Sequence, residues 1–414
     1  MNVLIYNISL RFYQLAAWLY SPFNEKAKLF TEGRKGLFEA LEKDFKENSS
    51  LTTWFHCASL GEFEQGKPVL EAFKKHFPDR KILLTFFSPS GYELRKNYPG
   101  ADYIYYLPID TLKNANQFLE ITKPSTVVFV KYEFWYHYLN EVNKRGIPLF
   151  CISALFNEHQ RFFKSSGGFF RETLRKFDHF FVQNSNSQIL LKSIGIEQST
   201  VTGDTRFDRV LATASKPKSF PLVKAFTKNH LTVIVGSCWP ADLEFLLPII
   251  NNSPETRFII APHNIGESSV KQLEHGLKRP FIRITEANET DILNSELLII
   301  NTIGMLSSLY QYGNIAYIGG AFGGGLHNIL EAVTFGLPVI FGNNNLDKFP
   351  ESKALVKKGG AFTFKTQAEI NQHFERLSSD NQFRSKASAI CLKFIQENKG
   401  ATDKIMQTLS TWKS

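Results

Sequence analysis

The run Gly319-Gly320-Ala321-Phe322-Gly323-Gly324-Gly325-Leu326-His327-Asn328-Ile329-Leu330-Glu331 constrains this chain more than any other segment. Ahead of it, Ile315-Ala316-Tyr317-Ile318 reads as a short apolar strand. Behind it, Phe335-Gly336-Leu337-Pro338-Val339-Ile340 leads into the next strand. A glycine-dense segment between strand and helix lets the backbone pass close to a ligand. His327-Asn328 is expected to open a helix, with Asn as the capping type. A helix N-terminus behind a glycine loop suits a phosphate, because N–H groups point outward there and the dipole favours negative charge. Gly319, Gly320, Gly324, Gly325, His327 and Asn328 are the expected anion-binding residues, and Glu331, about one turn into the helix, is placed to accept hydrogen bonds from a ribose.

The same alternation of short apolar strands and helical stretches fills both halves, the pattern of parallel α/β sheets. With 414 residues, two domains are expected. The boundaries read as an apolar N-terminal helix over 1–24, a first domain over 35–209 and a linker over 210–230 with Pro217, Pro221 and several lysines. A second domain follows over 231–385, then a helical segment over 386–414. Two doubly wound domains facing a central cleft hold ligands at the carboxyl ends of their strands.

The formal charge of +9 favours an anionic partner, and no DNA- or RNA-binding signature is present, so a phosphorylated substrate or an anionic membrane surface is expected rather than nucleic acid. Cys57, Cys151, Cys238 and Cys391 are scattered, which argues against a disulfide framework or a metal cluster. Val3 to Tyr20 is mostly apolar, carries Tyr13, Trp18 and Tyr20, and is followed by Lys26, Lys28, Arg34 and Lys35. It reads as a membrane anchor, either a shallow span or an in-plane helix.

At the end of the first strand, His56-Cys57-Ala58-Ser59-Leu60-Gly61-Glu62 turns into a helix and places Glu62 at the strand's carboxyl edge. Spacing alone leaves Glu62 as an ordinary acid of a helix start, where acids are favoured. Glu133 follows another apolar strand, in Lys131-Tyr132-Glu133-Phe134-Trp135, and reads either as a substrate contact or as a partner of Lys131 or an arginine. Arg206, in Gly203-Asp204-Thr205-Arg206-Phe207-Asp208, binds a carboxylate or phosphate or else pairs with its neighbouring aspartates. Ser237 and His263 end two strands of the second half, and Lys348 follows Gly342-Asn343-Asn344-Asn345; all three are candidate donor contacts.

Taken together, these motifs resemble those of the Kdo (3-deoxy-D-manno-octulosonic acid) transferases over nearly the whole chain. The resemblance implies a two-domain GT-B fold, with inverting, metal-independent transfer from CMP-Kdo to a hydroxyl of a lipid A precursor. It implies no cofactor, and a location at the cytoplasmic face of the inner membrane. Glu62 matches the family's proposed general base, with Ser59, Gly61, Glu133 and Arg206 on the substrate side. The chain departs from the family pattern in three places: Pro262-His263-Asn264 stands where Pro-Arg-His is common, Lys131 replaces an acid, and Tyr136 replaces a proline. A UDP-sugar transferase or epimerase, or a catalytically inactive lipid-binding module of the same fold, are the alternative readings.

Overall fold

The computed structural model describes residues 2–412 except Tyr132, Asn345, Asp347 and Lys348. The chain divides into two compact units, one formed by residues 1–209 and 399–414, the other by 210–398.

The first unit is built on a seven-stranded sheet. Its strands are β1 (Thr52–Cys57), β2 (Lys81–Phe86), β3 (Tyr103–Tyr106), β4 (Pro124–Val130), β5 (Leu149–Ala154), β6 (His179–Val182) and β7 (Ser199–Val201). Their order is β3-β2-β1-β4-β5-β6-β7, and the pairings are parallel. Helices cover both faces, so the central strands read as continuous apolar runs rather than alternating ones. Every residue of β1 is buried. The sheet order reverses between β1 and β4, which is where a doubly wound sheet opens a ligand crevice at its carboxyl edge.

The second unit repeats the design with β8 (Leu231–Cys238), β9 (Thr256–Pro262), β10 (Phe281–Arg283), β11 (Leu297–Ile299), β12 (Ile315–Ile318), β13 (Val339–Gly342) and β14 (Ala361–Phe364). The order is β10-β11-β9-β8-β12-β13-β14, with the reversal between β8 and β12. The short edge strands β7 and β10 are absent from the sequence reading, because three residues carry too little periodicity to register.

Three expectations need correction. First, the stretch read as a linker is structured: one helix runs Thr205–Ser215 and another Pro221–Thr227, with Val223 and Phe226 buried. Its prolines sit at a helix start and between the two helices rather than in an open tether. Second, the C-terminal segment does not act as one piece. The helix Asn381–Asn398 ends the second unit, Gly400 breaks the chain at φ 92°, and the helix Ala401–Thr411 returns to the first unit. There Ile405 and Leu409 join the core around Phe55, Phe73 and Phe150, and Asp208 accepts hydrogen bonds from the N–H groups of Gly400 (2.6 Å) and Thr402 (2.7 Å).

Third, the N-terminal segment is a helix, Val3–Tyr20, but no helix among the described residues is long and apolar enough to cross a membrane. Asn7, Ser9, Arg11 and Gln14 dilute its apolar run. One face docks on the first unit. Tyr6 donates to buried Asp110, Asn7 pairs with His137 at 2.6 Å, Leu10 is buried, and Tyr13 packs on Phe30 and Phe87. Burial outweighs the three hydrogen bonds that Asp110 accepts and pushes its carboxyl up to about 6. Arg34, grouped by sequence with surface cations, turns inward: its guanidinium donates to the carbonyls of Phe30, Phe87 and Leu107.

Candidate active site

In the first unit, the chemistry gathers at the β1/β4 reversal. The chain leaves β1 at Cys57, and Ser59 caps the helix Leu60–His76, accepting from the Gly61 N–H at 3.2 Å. That helix lies close to the sheet because Gly66 has no side chain: a Cβ there would meet Val130 Cγ2 at 2.8 Å. Glu62, in the first turn, therefore stands over the ends of β1 and β4. Its Oε2 accepts from the Ser59 hydroxyl, and its Oε1 lies 3.9 Å from Lys131 Nζ. The side chains of Glu62 and Lys131 are 17% and 22% exposed, so the pair is within reach of solvent and of a ligand.

Glu133 reaches back to the first strand. Its Oε2 lies 3.6 Å from Nε2 of His56, a fully buried residue of β1. Trp135 Nε1 donates to His56 Nε2 at 3.2 Å, which places the ring proton on Nδ1, facing Thr85 Oγ1 at 2.8 Å. Trp54 Nε1 donates to the same hydroxyl at 2.7 Å. Complete burial, reinforced by the nearby Glu62 and Glu133 carboxylates, holds the Cys57 thiol well above its ordinary value. Arg206 donates to Asp204 through Nε (2.9 Å) and a terminal nitrogen (2.7 Å).

The second unit gathers its candidates at the β8/β12 reversal. Gly319 leaves β12 and packs directly on β8, where a Cβ would lie 2.4 Å from the Ser237 carbonyl oxygen. Ser237 itself takes a left-handed backbone, φ 52°, at a register break in β8. The loop is then held by an acid that the sequence reading did not single out. Buried Asp242 accepts from the Gly320 N–H (3.0 Å), the Trp239 N–H (2.8 Å) and the Tyr317 hydroxyl (2.8 Å). Proline at the first position of a helix with Asp two residues later was its available signal.

Most of the expected phosphate-binding amides are engaged within the protein. The N–H groups of Gly319, Gly320, Gly323, Gly325 and His327 donate to Gly236, Asp242, Gly320, Gly320 and Gly319 respectively. The helix behind the loop starts two residues later than expected and is a single turn, Leu330–Val333, with Asn328 Oδ1 accepting from the Leu330 N–H at 3.1 Å. So short a helix offers little dipole, and the loop's value lies in its close backbone approach. Glu331 is half-buried on that turn and acts on the phenol of Tyr310, which lies under Gly236. Lys348 lies outside the described residues.

The loop's other neighbour is Trp239, which sequence reading also missed. Its indole lies against Gly323 and Gly324 and stacks on His263, with centroids 4.1 Å apart and planes at 17°. Trp239 Nε1 donates to His327 Nε2 at 3.2 Å, so the His327 proton sits on Nδ1, and burial lowers the affinity of that ring for a second proton. Trp239 and His263 border a cavity of about 600 Å³, lined also by Cys238, Leu243, Pro262 and Ile303. A cavity of that volume, mostly apolar with a few polar groups, suits a nucleotide base.

Comparison with known proteins bears on this pair of sites. Residues 31–209 match the family described as 3-deoxy-D-manno-octulosonic-acid transferase (kdotransferase). A 3-deoxy-D-manno-octulosonic acid transferase of Rickettsia bellii (strain RML369-C) is 25% identical over 374 residues, covering 88% of this chain and 89% of its own. The enzyme of the same name from Aquifex aeolicus (strain VF5) is 26% identical over 352 residues, covering 80% and 89%. The chain is a relative of the Kdo transferases. It is accordingly an enzyme of the glycosyltransferase class. Among solved structures, the UDP-GlcNAc 2-epimerase of Neisseria meningitidis matches with a TM-score of 0.61 and 19% identity, covering 87% of this chain and 100% of its own. That likeness agrees with a fold of two parallel-sheet α/β domains of the GT-B kind.

Proposed function

We propose that the protein transfers Kdo from CMP-Kdo to a hydroxyl of a lipid A precursor, with inversion and without a metal. The observation that carries this reading is Glu62: a half-buried carboxylate at the β1/β4 crevice, oriented by Ser59 and Lys131, in a segment that matches the kdotransferase family. A sugar hydroxyl is a weak nucleophile, and a carboxylate within hydrogen-bond reach accepts its proton as it attacks. The acceptor oxygen forms a bond to the anomeric carbon while the bond from that carbon to the phosphate oxygen breaks. The electron pair leaves with CMP, and the hydroxyl proton goes to Glu62. CMP departs as a stable phosphate monoester, so a strong acid on the leaving group is not required.

The nucleotide belongs to the second unit in this reading. The base lies in the cavity beside His263 and Trp239, and the glycine loop allows the sugar and phosphate to approach β8 and β12 closely. Ser237 at the end of β8, Asn328 in the loop after β12 and Glu331 on the single-turn helix are polar groups available to it.

The N-terminal helix supports a location at the cytoplasmic face of the inner membrane, held in the plane of the surface. Leu4, Ile8, Phe12, Leu15 and Leu19 recur at intervals of three and four, fall on one stripe opposite the docked face, and are all strongly exposed. An exposed apolar stripe on a basic protein suits an anionic lipid surface.

Incubation with CMP-Kdo and a tetraacylated lipid A precursor, followed by mass spectrometry of the lipid, tests the activity. A gain of one or more Kdo masses is expected. No gain, with UDP rather than CMP raising the melting temperature, would replace the reading with a UDP-sugar enzyme. Flotation with vesicles containing anionic lipid tests the surface: the protein should float, and Phe12→Asp with Leu15→Asp should leave it in the soluble fraction.

A further inference from the structure

Glu62 presents two oxygens in unlike settings. Oε2 is held by the Ser59 hydroxyl, and Ser59 is itself fixed as the cap of the helix on which Glu62 stands. The single hydroxyl proton of Ser59 is committed to that contact. Oε1 faces Lys131 Nζ at 3.9 Å. That distance is too long for a hydrogen bond and short enough for strong attraction between charges. The ammonium therefore draws Oε1 toward itself without filling its lone pairs.

The backbone beneath Lys131 is unusual. Its φ is 70°, in the left-handed region that side-chain-bearing residues seldom adopt. β5 holds it there from both sides, since the Lys131 N–H donates to the Ile152 carbonyl at 2.9 Å and the Cys151 thiol donates to the Lys131 carbonyl at 3.3 Å. Glycine would occupy this position without strain. A strained residue held by its surroundings invites a functional explanation of its side chain. The surroundings supply one: Glu62 and Glu133 both lie close enough to act on Cys57, so two acids share the crevice edge that Lys131 serves as counter-cation.

We infer that Lys131 is a positioning residue for proton transfer, steering Glu62 so that Oε1 is the atom that meets the acceptor hydroxyl. The inference rests on the proposed role of Glu62 as proton acceptor. Lys131 contributes to the rate through the orientation of Glu62 rather than through binding of either substrate.

Steady-state kinetics of Lys131→Met, Lys131→Arg, Lys131→Gly and Glu62→Gln, all as full chains, test it. Lys131→Met should lower kcat by about 30-fold or more while the acceptor KM changes by less than about three-fold, the signature of an interaction used in the transition state. Lys131→Arg should recover most of that loss. Lys131→Gly relieves the backbone, so it should melt no lower than the parent and still lose kcat, a combination that a purely structural lysine would not give. An unchanged kcat in Lys131→Met, or a loss that appears in KM alone, overturns the inference while leaving Glu62 in place. Full activity in Glu62→Gln overturns the proton-acceptor reading and this inference with it.

Discussion

Asp242 and Gly320 are 78 residues apart in sequence, yet the Gly320 N–H donates to Asp242 Oδ2 across 3.0 Å of buried protein. The same carboxylate also holds the Trp239 N–H and the Tyr317 hydroxyl. One acid thereby fixes both the glycine loop and the aromatic ring that borders the nucleotide cavity.

Removing that acid should therefore be costly twice over. Asp242→Ala leaves three buried donors without an acceptor and should destabilise the protein by about 3–5 kcal/mol. It should also abolish CMP-dependent thermal stabilisation under conditions where the variant is still folded. Differential scanning fluorimetry with and without CMP reads both. A variant that still binds CMP like the parent would detach the loop from Asp242.

Trp239 offers a cleaner separation of binding from folding. Its ring is only partly buried and stacks on His263. Trp239→Ala should weaken CMP about three- to ten-fold, the range expected for one aromatic stack, and Trp239→Phe should restore much of it. Isothermal titration calorimetry decides, and equal affinity in all three proteins would place the base elsewhere.

Glu62→Gln keeps the size of the side chain and removes its basicity. Kdo transfer should fall by about 10²- to 10⁴-fold, with CMP affinity unchanged because the donor site lies in the other unit. A parallel loss of CMP binding would mean that the substitution acts through folding rather than through chemistry.

Acid should reveal the anchoring of the N-terminal helix. Burial raises the Asp110 carboxyl to about 6, above its ordinary value near 4, so the folded protein binds this proton more tightly than the unfolded chain does. The contribution of Asp110 to stability is therefore most favourable below about pH 4 and declines as pH rises through about 6, by about 3 kcal/mol in all. The melting temperature of the parent minus that of Asp110→Asn should fall across this window and level off above pH 7. A difference that stays flat from pH 4 to 7.5 would contradict the raised carboxyl.

Much of the framework was legible in the chain. β1, β2, β3, β6, β12 and β14 occupy the residues that their short runs of apolar, aromatic and β-branched residues mark out, the signature of strands in a parallel sheet. Glu62 and the glycine run fall at the reversal points of the two sheets, as strand-end motifs should. Other features depended on contacts distant in sequence. Nothing local marks Asp242 as the acceptor for Gly320, or Trp239 as the ring against Gly324. The pairing of His56 with Trp135 joins positions 79 residues apart through the β1–β4 pairing, and neither segment hints at the other. The N-terminal segment, read as a shallow span or an in-plane helix, was legible only in part. Asn7, Ser9, Arg11 and Gln14 leave it short of a span, and its docked face, with Tyr6 and Leu10 against the first unit, depends on partners distant in sequence.

The return of the helix Ala401–Thr411 to the first unit bears on how the protein is made. A ribosome delivers residues 1–209 long before it delivers Ile405 and Leu409, which complete the core around Phe55 and Phe73. The first unit therefore waits, with a patch of its apolar core uncovered, while the entire second unit is synthesised and emerges. Residues that follow the second unit in the chain seal the unit that precedes it, so a chain that stops short of Ile405 and Leu409 is left with its first unit unfinished.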